Sequence, residues 1–143
     1  MNYLFAPESV VERQSIFLEI CEAIGPEDRL EMFPDITGFS ARLRQLDNPE
    51  IIIMLAVGKT DMPDILSLRS LIRDAAIIIL LSDEEEDTVT SAIRLRPKFI
   101  GSVNGDLEKV VPIVEKLIEM KIARESNCST ILEKKQGMNN PAS

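Results

Sequence analysis

The chain has 143 residues, 45% of them hydrophobic, which is the size and apolar content of one compact domain with a core of its own. Its formal net charge of −8 disfavours an extended contact with nucleic acid or an anionic bilayer, since both partners are themselves anions. Histidine is absent, which removes the commonest general base, the commonest zinc ligand and any Ser-His or Cys-His nucleophile pair, so chemistry would have to come from the 24 carboxylates.

Short β-branched runs alternate with segments of helical period. "NYLFA" is a strand candidate. Ser9 and Glu12 have the spacing of a reciprocal capping pair, and a helix is expected from Val10 to Ile24 with Val10, Phe17, Cys21 and Ile24 on its inner stripe. Gly25-Pro26 ends it. "RLEMF" is a second strand, and "TGFSARLRQLD" places Phe39, Leu43 and Leu46 at helical spacing before an Asn48-Pro49 turn. Ile51–Val57 is apolar throughout, as befits a parallel strand covered on both faces. After the Gly58–Pro63 loop, Ile65, Leu68 and Ile72 mark a short helix, and "AAIIILLS" is a second doubly buried strand. "DEEEDTVTSAIRLR" crowds acids into the first turn of a helix, where they complement the positive end of its dipole; a solvated cap explains them better than a metal site. "KFIGSV" is a fifth strand. "GDLEKVVPIVEKLIEM" is a helix turning Leu107, Val110, Val114, Leu117 and Ile118 inward, and Pro112 demands either a kink or a start later than Asp106.

This alternation predicts an α/β fold: a single flavodoxin-like three-layer domain over residues 1–122, with a five-stranded parallel sheet in order 2-1-3-4-5 and helices on both faces. Residues 123–143 are polar and weakly patterned, a mobile tail with at most one helical turn near Thr130–Lys135. Any site in such a fold lies beyond the carboxyl ends of strands one, three and four, at Ala6–Ser9, Leu55–Asp61 and Leu81–Glu84. The apolar stretches fall far short of the ~20 residues that cross a bilayer, so a soluble, cytoplasmic protein is expected. Cys21 and Cys128, without paired spacing, read as free reduced thiols.

The run "IIIMLAVGKTDMP" ends in Gly-Lys-Thr, as a phosphate-binding loop does. Such a loop needs another glycine five positions before its Gly-Lys-Thr, so that backbone amides can turn inward on the phosphates. That position is Ile53, a strand residue, and nucleotide hydrolysis is disfavoured on this ground.

Over residues 2–120 the chain resembles the receiver domain of two-component response regulators. "PEIIIMLAV" is similar to its third strand, "IILLSDEEED" to its fourth strand with the hydroxyl residue and loop behind it, and "TDMPDIL" to the Met-Pro that follows the phosphoacceptor aspartate. The resemblance implies a phosphoryl-transfer device: two acids after strand one hold Mg²⁺, an aspartate ending strand three accepts the phosphoryl group, and a Ser or Thr after strand four and a Lys after strand five bind its oxygens. Here the acidic pair falls on Ala6-Pro7 or Pro7-Glu8, leaving at most Glu8. The acceptor falls on Leu55 or Ala56 counted from the strand start, or on Lys59 counted back from Met62-Pro63. Ser82 matches the hydroxyl, and the lysine position holds Ser102 or Val103. Lys59 is a candidate fixed cation in place of Mg²⁺, and Asp61 a candidate displaced acceptor.

These departures imply a pseudo-receiver: not an enzyme, without cofactor or metal, acting in bacterial signal transduction by binding a protein partner independently of phosphorylation. The expected partner is a signalling protein or a second copy in a weak homodimer. In receivers the fourth helix, fifth strand and fifth helix form the interaction face, which here carries Arg94, Arg96 and Lys98, with Asp106 and Glu108 expected beside them. The alternatives are a receiver phosphorylated at Asp61, and a small-molecule-binding α/β domain using the same crevice.

Overall fold

A computed structural model describes residues 2–26, 28–45 and 49–122. The elements are β1 (Asn2–Phe5), α1 (Arg13–Ile24), β2 (Leu30–Phe33), α2 (Ile36–Leu43), β3 (Ile51–Val57), α3 (Met62–Ser67), α4 (Arg69–Ile72), β4 (Ala76–Leu81), α5 (Glu86–Ile93) and β5 (Phe99–Ser102). A 3₁₀ turn at Leu107–Lys109 leads into α6, residues 110–122. The expected third helix is thus two pieces, α3 and α4, meeting at Leu68, and the expected fourth and fifth helices are α5 and α6. The expected tail, with Cys128, lies outside the described residues, as do Leu46 and Asn48.

All strand pairings are parallel and the order is β2-β1-β3-β4-β5, so the flavodoxin-like prediction holds. Alternate residues of the central strands feed two cores. Ile52, Met54, Ile77 and Ile79 pack with Phe39 and Leu43 of α2, Ile65 of α3, Ile72 of α4 and Ala92 of α5. Ile51, Ile53, Ile78 and Leu80 pack on the other face with Ile16 and Ile20 of α1 and Val110 and Val114 of α6. Strands covered on both sides need no polar face, which is why β3 and β4 read as unbroken aliphatic runs.

Local sequence accounts for most element ends. Gly25 stops α1 with φ +83° while its amide reaches the Cys21 carbonyl. Asp35 caps α2, its carboxylate accepting from the Gly38 amide at 2.7 Å. The Ser9–Glu12 capping pair does not form: turns closed by Val10 N–H to Pro7 O and Arg13 N–H to Val10 O carry the chain to Arg13, and Glu12 makes no side-chain cap. The inner stripe of α1 is correspondingly Ile16 and Ile20, with Val10 buried in the turn ahead of it, Phe17 and Ile24 partly buried and Cys21 at its margin. Pro112 produces no kink because α6 starts at residue 110, leaving the proline in the first turn where its missing amide has no helical partner to lose.

Candidate functional site

The carboxyl edge of the sheet is built from four strand ends. At β1, the Ala6 amide still pairs with Phe33 O at 2.9 Å, and its carbonyl accepts from Arg13 Nη1 at 3.2 Å. Arg13 Nη2 also stands 4.0 Å from Oε1 of the exposed Glu8. The guanidinium therefore lies over the end of β1, tying the first residue of α1 to the strand. Sequence reasoning missed this residue; the available signal was that Arg13 is the one basic side chain between Pro7 and Ile24. Pro7 is half-buried, and its carbonyl closes the following turn.

At β3 the ladder to β4 slips: Met54 pairs with Ile79 but Val57 with Leu81, so Leu55 and Ala56 together oppose Leu80. The bulge puts both on the α1/α6 face, Leu55 fully buried and Ala56 half-buried with φ +54°. Gly58 to Asp61 then forms a turn closed twice, by Asp61 N–H to Gly58 O at 3.0 Å and by Gly58 N–H to Asp61 Oδ2 at 3.1 Å. This explains the Gly-Lys-Thr sequence in part. A side chain at Gly58 would put its Cβ 2.8 Å from Ser82 Oγ, so any larger residue there would have to turn the exposed serine side chain aside. Lys59 projects outward, 4.0 Å from Glu85, both exposed; the cation nearest the end of β1 is Arg13 instead.

At β4, Ser82 is exposed, its amide donating to Val57 O at 2.9 Å. At β5, the Ser102 amide donates to Asp106 Oδ2 at 2.9 Å, the Asp106 amide donates back to Ser102 O at 2.8 Å, and Lys109 Nζ lies 2.9 Å from Asp106 Oδ1. Hydrogen bonding from the Ser102 amide, then from Lys109, holds the Asp106 carboxyl below its ordinary range. A depressed folded-state value means that Asp106 stabilises the fold above the unfolded-chain pKa and loses that contribution as pH falls through its folded value. Asp106→Asn should accordingly flatten the loss of stability as pH falls below the ordinary carboxylate range, read as the urea midpoint at each pH.

The structure thus brings Ser82, Gly58–Asp61, Lys59 and Glu85 together, with Glu8 and Ser102 at other strand ends of the same edge. It does not bring the expected interaction residues together. Arg94, Arg96 and Lys98 are exposed and precede β5, whereas Asp106 and Glu108 follow it. From Lys98 to Ser102 the strand spans about 13 Å, and the Asp106 carboxylate is turned back onto its own loop. The basic segment and these acids are at opposite ends of the sheet.

Receivers hold Mg²⁺ at this edge, and the residues present do not fit it. Ala6 and Pro7 offer no carboxylate, Glu8 faces Arg13, Asp61 is occupied by the Gly58 amide, and among the described residues no three His, Cys, Asp or Glu side chains converge as a metal group. Burial raises the pKa of the Cys21 thiol, keeping it protonated and weakly nucleophilic. None of the described helices is long and apolar enough to cross a membrane.

No family model matches the chain, and no curated protein matches it significantly. Solved structures do. A protein assigned to pilus assembly in Burkholderia thailandensis E264 is similar with TM-score 0.60 and 16% identity, over 83% of this chain and 98% of that one. A response regulator from Thermotoga maritima is similar with TM-score 0.55 and 14% identity, over 82% and 97%. The phosphorylated cyanobacterial phytochrome response regulator RcpA gives 0.56 and 16%, over 82% and 91%. At these identities the likeness shows the flavodoxin-like fold that response regulators share.

Proposed function

We propose that this chain is a receiver-like signalling module that works without phosphorylation, as a protein-interaction surface and not as an enzyme. The observation that carries the reading is the end of β3, where a buried leucine and a half-buried alanine occupy the bulge, and the nearby carboxylate, Asp61, has one oxygen held by the Gly58 amide. An acyl-phosphate acceptor needs a carboxylate free to attack and cations to offset the incoming charge. Asp61 has one oxygen tied back to its own loop, and among the described residues no group of acids that could hold a metal stands beside it. That one fold serves a pilus-assembly protein and response regulators alike fits a module whose contribution is its surface.

The surface assigned to the partner is the basic segment Arg94, Arg96 and Lys98, exposed on a chain of net charge −8, and the partner is a signalling protein or a second copy. Incubation with a small phosphodonor and Mg²⁺ should leave the intact mass unchanged. A phosphoryl adduct mapped to Asp61 would replace this reading with a receiver using a displaced acceptor. The small-molecule reading is less favoured, because a groove lined by Arg73, Arg96 and Leu117 lies at the amino edge of the sheet and not above Leu55–Gly58.

A further inference from the structure

That groove, about 830 Å³, opens where β3 and β4 begin, between the carboxyl ends of α1 and α6 and the start of β5. One wall is apolar: Ile24, Leu117 and Ile118 are partly buried, while Met120 and Ile122 are 48% and 58% exposed. The other carries exposed Arg73, Arg96 and Lys98. None of these three makes an ion pair among the described residues. Glu50 and Lys121 pair with each other, which leaves Asp28 and Asp74 as the acids beside the three cations among the described residues of the lining. In a chain of net charge −8, the described lining of this groove carries four cations against three acids, above an apolar floor.

The opposite end of the same strands is its complement. Behind β4, Glu84, Glu85, Glu86 and Asp87 are exposed in succession, with Glu8 and Glu12 exposed behind β1. Val11, 85% exposed, is the most exposed large apolar side chain among the described residues, and it stands on that edge too. We infer that copies of this chain associate head to tail, the acidic carboxyl edge of one seated in the basic groove of the next. The two surfaces are different and lie at opposite poles, so the contact is heterologous: it propagates along the strand direction instead of closing as a two-fold dimer. Charge supplies orientation and association rate, and Val11 against the apolar wall supplies the water-excluding part. The inference rests on the reading of the chain as an interaction module and names its partner.

Sedimentation velocity on the full chain at rising concentration tests it. The wild type should form a ladder of oligomers at low salt that collapses to monomer at high salt. Arg96→Gln/Lys98→Gln and Glu84→Gln/Glu85→Gln should each sediment as monomer, whereas an equimolar mixture of the two should give dimers and nothing larger, because one intact interface remains. A wild type that stays monomeric at low salt, a closed dimer, or variants that assemble like the wild type would overturn head-to-tail association. Those results would leave the module reading in place, which stands or falls on the phosphodonor result.

Discussion

Leu55→Asp should unfold the protein or bring it to the edge of unfolding. Leu55 is fully buried on the α1/α6 face, so the substitution removes a core side chain, at about 2–5 kcal/mol, and places a carboxyl in hydrocarbon, at about 2–7 kcal/mol more. Domains of this size are held by about 5–15 kcal/mol. Ala56→Asp, one residue on, should be tolerated within about 1 kcal/mol, because Ala56 is half-buried and its φ of +54° suits aspartate better than alanine. Equilibrium urea unfolding of both variants checks the pair. The contrast matters for function: of the two acceptor positions counted from the start of the strand, the bulge lets only Ala56 carry a carboxylate without loss of the fold.

Phe39→Ala should cost about 3–5 kcal/mol, seen as a lower urea midpoint with an unchanged slope. Phe39 is fully buried on α2 and lies 5.9 Å from the ring centroids of both Phe5 on β1 and Phe33 on β2. Tyr3 joins them edge-on to Phe33, so removing the central ring opens a cavity that rigid strands on one side cannot collapse to fill. Since this cluster sits on the face opposite α1, the arrangement of Arg13 on Ala6 should survive in whatever fraction remains folded.

The parts of the fold that were legible in the sequence are those where one physical signal stands alone. Ile51–Val57 and "AIIILL" have no polar phase, and only doubly covered strands do without one; Gly25-Pro26 marks a helix stop. From these the parallel sheet can be derived, while its order 2-1-3-4-5 is expected as the common solution at this length. Where two signals coincide, sequence reading fails. The bulge at Leu55–Ala56 is hidden because residues 51–57 are all apolar, so a slip of phase leaves no trace in the pattern. Ser9 and Glu12 have capping spacing, but hydrogen-bonded turns use up the chain before α1 begins. The site was legible in its inventory and not in its geometry. The absence of acids at Ala6, Pro7 and Leu55 is written in the chain, but Asp106 clasping Ser102, and the separation of Lys98 from Asp106 by the length of β5, depend on which end of a strand each loop occupies.

A carboxyl edge without phosphoryl chemistry, as proposed, should be silent in thermal unfolding with Mg²⁺ and beryllium fluoride, a phosphoryl mimic. A ligand that binds the native state raises its melting temperature through mass action. With Leu55 buried, Asp61 held by the Gly58 amide and Arg13 seated on Ala6, the transition should coincide with that of the protein alone. A rise of several degrees that requires both Mg²⁺ and beryllium fluoride would contradict the account and restore this edge as a working phosphorylation site.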